Sequence, residues 1–261
     1  MRRIGLAGLA LLAASCSPYQ VLDDAASSPA GLFAKESVAL LLSNDLATLS
    51  RRFTPDVAPS ATPEALARIR TEIPAGEASG PRIVGFESFR SGQVRRATFT
   101  YEYAFPGEYL LALVVVDSSG PAPLIAGLHV KRMPDSLARL NAFRLDGKSP
   151  RHFVVLALTV LVAAFVLLAL VVCARTPLRR KWLWLLFVAV GFGKLTLNWT
   201  TGAVGFSPIA FQLLGASAFA AGAYAPWILG VSFPLGAIVF LARRRRLHEQ
   251  VAREERSSTF E

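Results

Sequence analysis

Residues 188–202 read VAVGFGKLTLNWTTG, an apolar run with Lys194 in its middle and Asn198, Trp199 and Thr201 at its end. A charge within an apolar stretch long enough to cross a bilayer is expensive and marks a functional position by default. Read as a helix, the run belongs to a span over 182–201, with Trp182, Trp184 and Trp199 as interfacial aromatics. Counted from Trp182, Lys194 lies about 18 Å along such a helix, nearer the outer boundary than the inner. From that depth its apolar stem can snorkel toward the headgroups. Helical spacing also puts Gly191, Lys194, Asn198 and Thr201 on one stripe, which is expected to face protein or water. The small-residue segment from Gly215 to Ala223 is its natural cover, and Gln212 or a backbone carbonyl there can take the ammonium's hydrogen bonds. Lys194, Asn198, Thr201 and Gln212 are therefore the candidate intramembrane polar site: a polar anchor, or the floor of a small site for an anionic group.

The flanks extend this into an α-helical transmembrane bundle. Residues 153–174 are an unbroken run of apolar or small side chains, and a basic loop, RTPLRRK, fills 175–181. The apolar stretch from 203 to 242 is longer than one span needs and ends at Arg243–Arg246. Two crossings there would put the four arginines outside, whereas one puts both basic clusters inside. The third span is accordingly expected over 224–242, with Pro226 and Pro234 suggesting a kink, and 203–223 as an outer-side or re-entrant segment. The tail, 243–261, is then cytoplasmic. This three-span region resembles no family.

Composition agrees. Of 261 residues 53% are hydrophobic, and mean hydropathy is +0.43, which fits a modest water-facing domain joined to membrane segments. The net charge of +10 does not point to nucleic acid, because acids and bases cancel between Ser17 and Pro150 and the excess sits in the first residues and beyond Arg151. That is how membrane topology uses charge. The two cysteines, Cys16 and Cys173, are too differently placed to pair.

MRRIGLAGLALLAASC opens the chain with a basic start, a short apolar core and small residues before Cys16. Ile4–Ala14 is too short to span, so 1–15 is expected to be a secretory signal. Ala13-Ala14-Ser15-Cys16 resembles the lipobox of bacterial lipoproteins, which implies lipidation of Cys16, although Leu12 stands one position early. Residues 16–30, rich in Ser, Ala, Asp and Pro, read as a linker.

Residues 31–148 form an expected α+β exported domain. Apolar residues recur at helical spacing from Gly31 to Phe53, and TPEALARIRTEI carries a cap at Thr62 and a proline at the first helical position. The period then becomes two: RIVGFESFR, QVRRATFTYEYAF, GEYLLALVVVDSS and APLIAGLHVKRM are separated by turn signals, as in an antiparallel sheet. Two helices followed by a curved sheet ending in PLIAGLHVKR resemble the nuclear transport factor 2-like (cystatin-like) cone domains. In QVRRATFTYEYAF, alternation sends Phe99, Tyr101, Tyr103 and Phe105 to the expected interior and Glu102 outside. Tyr101 and Tyr103 are thus the only polar tips of a candidate cone cavity. The three histidines, His129, His152 and His248, are scattered, and no metalloprotease, nucleophile-elbow or phosphate-loop motif occurs, so neither metal nor cofactor is expected.

The resulting expectation is a non-catalytic bacterial inner-membrane protein, with its N-terminal domain in the periplasm and its C-terminus in the cytoplasm. Its partners would be membrane lipids and an envelope protein or small apolar ligand. The alternatives are an enzyme acting on an apolar substrate through Tyr101 or Tyr103 with Glu87 or Glu102, and a subunit of a transport assembly.

Overall fold

Pro18, Ser28 and Gly31 show how the chain begins to fold. The computed structural model describes residues 17–178 and 180–258, so the signal and Cys16 lie outside the described residues. Helix α1 (Pro18–Ser27) occupies the expected linker, with Pro18 in its first turn and Gln20 Oε1 accepting from the Ser17 amide at 3.3 Å. Its composition hides a short apolar stripe: Leu22, Ala25 and Ala26 recur at helical spacing and pack into the core. Helix α2 (Pro29–Leu42) starts two residues before the expected helix because Ser28 Oγ accepts from the Gly31 amide at 3.1 Å. Asn44, at φ 66°, breaks it, and α3 (Leu46–Ser50) resumes with Asp45 as its cap. Helix α4 (Pro63–Arg70) is capped by Thr62.

Four strands follow as a meander, β1 (Arg82–Ser91), β2 (Val94–Phe105), β3 (Glu108–Asp117) and β4 (Leu124–Met133), in spatial order β1-β2-β3-β4. Positive φ at Gly92 and Gly107 makes the first two turns. Along β2 the pairing sets Phe99 opposite Val114, Tyr101 opposite Ala112 and Tyr103 opposite Leu110. These side chains share one face with Phe105 and Val116, and Ala34, Val38 and Leu41 of α2 cover it. Each such Val, Leu or Phe contributes about 1.5–3 kcal/mol through burial. A short helix, α5 (Leu137–Leu140), closes this α+β unit, which comprises residues up to Leu140 with Gly222–Tyr224.

The second unit holds the remaining residues from Asn141 onward. Its elements are α6 (Pro150–Arg175), α7 (Lys181–Ala189), β5 (Val190–Asn198), β6 (Val204–Leu213), β7 (Ala216–Ala220), β8 (Trp227–Phe233) and α8 (Leu235–Ser258). This corrects the three-helix bundle. Among the described residues, one helix, α6, is long and apolar enough to cross a membrane. The expected span 182–201 is half helix and half strand, 203–223 is a pair of strands, and 224–242 joins strand β8 to the start of α8. The cause is a change of period. Leu195, Leu197 and Trp199 alternate with Lys194, Thr196 and Asn198, and the first three turn to the core formed with Val155 of α6. Gly191 and Gly193 remove the side chains that would hold a helix there, and Gly193 has φ +66°.

Even so, the chain makes three passes. Cys173 near the end of α6 packs with Val188 at the end of α7, while Val155 near the start of α6 packs with Leu197 and Trp199, so α7 and β5 together run back along α6. Strand β8 and α8 run forward again, from Leu229 in one cluster to Phe240 in the other.

The second sheet has the order β6-β5-β8-β7, and all its pairs are antiparallel. Its two outer strands, β6 and β7, are consecutive in the chain and linked only by Leu214 and Gly215, both at positive φ. Three strand spacings of about 4.8 Å would separate those edges by about 14 Å if the sheet were flat. Two linking residues reach about 10 Å. The sheet is therefore curled, and one of its faces is concave at that end.

Candidate functional site

In the first unit the two tyrosines named for the candidate cone cavity are buried. Tyr101 is 2% and Tyr103 4% exposed, both within the core cluster, and the Tyr101 hydroxyl donates to the Gly31 carbonyl at 2.9 Å. Burial pushes the Tyr101 phenol up to about 12 and that of Tyr103 higher still, so both are neutral in the ordinary pH range. Glu102 points away from this core, as alternation requires, yet it is buried: Arg82 pairs with one carboxylate oxygen, and the Leu137 amide donates to the other at 2.6 Å. One oxygen thus joins β2 to Arg82 of β1 and the other holds α5 to the sheet. His129 and Glu87 are exposed on β4 and β1. An open cleft of about 480 Å³ lies beside α1, with Tyr19, Asp23, Lys35 and Arg82 on its walls and the candidate Tyr101 also among its lining residues.

In the second unit, Lys194 and Gln212 are brought to the same place, from strands rather than helices. Gln212 on β6 pairs with Gly191 on β5, and with no side chain at Gly191 in its way it reaches across β5, so that its Nε2 donates to the Gly230 carbonyl of β8 at 3.4 Å. Ser217 on β7 pairs with Gly230 from the other side. The point where a Cβ would stand at Gly230 lies 2.6 Å from Ser217 Oγ, 3.1 Å from Lys194 Cε and 3.4 Å from Gln212 Nε2. A Cβ at Gly191 would collide with Ser232 Oγ, which puts Ser232 beside the same patch. Reaching across neighbouring strands in this way is possible only on the concave face. The two glycines leave the room there that side chains would take.

The polar groups of this patch are left unsatisfied. Gln212 Oε1, Ser217 Oγ and Ser232 Oγ are buried without a hydrogen-bond partner, and Gln212 and Ser232 are 8% and 3% exposed. Each such atom costs about 1–3 kcal/mol if nothing fills it. Among the described residues the Lys194 ammonium has no carboxylate partner, and no Asp or Glu occurs from Gly147 to His248. The Phe219 ring lies 5.7 Å from its Nζ. The gathered groups are an ammonium, two hydroxyls and an amide oxygen, an arrangement suited to binding and without a base–nucleophile pair.

Asn198 and Thr201 are not part of it. Asn198 Oδ1 accepts from the Thr200 and Thr201 amides at 3.0 Å each, and Thr201 Oγ1 accepts from the Ala203 amide at 3.2 Å; together they build the turn between β5 and β6. Trp199, expected at an interface, is fully buried, with its indole donating to the Arg144 carbonyl and Phe143 stacked on it at 4.5 Å. Ser217, Ser232 and Gly230 escaped the sequence reading because a helical period scatters them, whereas cross-strand pairing collects them. Among the described residues, no group of His, Cys, Asp and Glu could hold a metal ion.

No protein-family model, curated protein or solved structure matches this chain.

Proposed function

We propose that the protein is a non-catalytic component of a bacterial envelope membrane, with its N-terminal α+β unit on the outer side as an interaction module, α6 as its membrane crossing, and a lipid on Cys16. The observation that carries this reading is α6 itself: 26 residues with mean hydropathy 3.2 over its most apolar stretch, and Val154, Leu158, Val160, Leu161 and Leu168 exposed along it. At about 1.5 Å per residue it is about 39 Å long, enough for a hydrocarbon core of about 30 Å. Arg175 ends it, Lys181 follows and Arg243–Arg246 lie on α8, so an inward first crossing agrees with the positive-inside rule. The return of α7 and β5 along α6 and the forward run of β8 and α8 support a C-terminus on the side on which α6 ends.

The order of the first unit, helices then a four-stranded meander, supports the cone-like reading of its fold. The commitment of the Tyr101 hydroxyl to the Gly31 carbonyl supports an interaction surface over the enzyme alternative.

Topology reporters test this. A fusion near Pro121 is expected to be active only as an exported reporter, and one after Glu261 only as a cytoplasmic reporter. Alkaline carbonate should leave the protein in the membrane pellet, and Cys16→Ser should abolish fatty-acid labelling. Release by carbonate, or an exported C-terminus, would overturn the reading.

A further inference from the structure

We propose that the concave face of the second sheet binds a phosphate-type oxyanion, held by Lys194, Ser217, Ser232 and Gln212. The site is independent of whether α6 crosses a membrane. Three of its polar atoms, Gln212 Oε1, Ser217 Oγ and Ser232 Oγ, are buried with no partner, and Lys194 makes no hydrogen bond or ion pair among the described residues.

The donor count identifies the ligand. The ammonium offers three N–H donors and the serines one O–H each, against a single unfilled carbonyl acceptor on Gln212. A water molecule in the patch could serve the hydroxyls, but the half-buried ammonium beside them adds a positive charge, and the chain from Gly147 to His248 holds no carboxylate to match it. A ligand with several acceptor oxygens and a negative charge answers both needs. Gln212 Oε1 can accept from the Lys194 ammonium or a serine hydroxyl of the same patch, or from a ligand O–H such as that of hydrogen phosphate or a glycerol headgroup. The space is set by glycine, since the Cβ position at Gly230 lies within 3.4 Å of three of the four side chains. A methyl there would occupy the middle of the site.

Both sources of this chemistry can be tested by isothermal titration of the full-length protein in a neutral detergent, with inorganic phosphate in one arm and short-chain phosphatidylglycerol in the other. Saturable binding in the phosphate arm assigns a free oxyanion; binding in the lipid arm alone assigns a headgroup. Lys194→Gln and Gly230→Ala should each weaken binding by about tenfold or more, whereas Lys181→Gln, which removes an equal charge away from the site, should leave it unchanged. Should Lys194→Gln fail to fold, the Ser217→Ala/Ser232→Ala pair gives the same comparison without altering charge. Absence of saturable binding in both arms, or equal affinity in the Lys194→Gln and wild-type proteins, would overturn the proposal.

Discussion

The Tyr101 hydroxyl reaches from β2 to the Gly31 carbonyl of α2 at 2.9 Å, tying sheet to helix inside the first unit's core. Tyr101→Phe keeps the ring and leaves that buried carbonyl without this donor. The expected loss is about 1–2 kcal/mol, read as a lower thermal midpoint of the full-length protein. Gly31→Ala should cost more, because its Cβ would collide with the Ala25 carbonyl where α1 crosses α2. A Gly31→Ala protein as stable as wild type would show that this contact is loose.

Alkaline pH should act on the same core. The folded phenol of Tyr101 titrates at about 12 against an ordinary 10.0, and that of Tyr103 is raised further. Below pH 10 the folded and unfolded forms are both protonated and nothing is lost. From pH 10 upward the unfolded chain releases protons that the folded one retains, so stability falls. Ultraviolet titration should show these two phenolates appearing only with unfolding.

Asp117 governs the acid side. Its carboxyl is held down to about 2 by the Ser119 hydroxyl and amide and by Arg96 at 2.9 Å. A depressed carboxylate stabilises the fold above its unfolded pKa, and the benefit fades as pH falls from about 4 through 2. Asp117→Asn should therefore be less stable than wild type at pH 6 and equal to it near pH 2, with a small difference because the group lies near the surface.

Glu102 joins Arg82 to the Leu137 amide. Glu102→Ala should cost about 1–3 kcal/mol and speed amide hydrogen exchange at Leu137. Unchanged exchange would mean that α5 is held by packing alone.

Helices α7 and α8 meet at Gly236, where a Cβ would collide with the Phe187 carbonyl. Gly236→Ala should separate them and loosen the cluster of Val188, Ala237 and Phe240. Faster proteolysis of the full-length protein would reveal it.

The first unit was legible because its signals are local. Alternation in β2 assigned the faces of Phe99 to Phe105, and Thr62 and Pro63 announced α4. The second unit was misread for a physical reason. An apolar strand buried on both faces and an apolar helix have the same composition, and length alone then favours the helix. The alternation of Leu195, Leu197 and Trp199 was the discriminating signal, and three residues are few to weigh against a run of this length. Charge in an apolar run marks Lys194, and Gln212 is named as a hydrogen-bond partner from the neighbouring segment; cross-strand pairing puts both beside Gly230, whereas Asn198 and Thr201, placed by helical spacing, build the β5–β6 turn. Glu102 was placed on the correct side of β2, but its cover comes from Leu137, which no pattern within the strand could reveal.

Strand β6 has one free edge, and its side chains are oily: Phe206 and Phe211 are each 70% exposed and Ile209 91%. Side chains of that kind suit acyl chains, but the outward amides of the same strand cannot be left in hydrocarbon, and Pro208 removes only one of them. If α6 crosses a bilayer as proposed, lipid could surround the helix but could not close around this strand, and the free edge of β6 would be a seam that must stay wet or be sealed by another backbone.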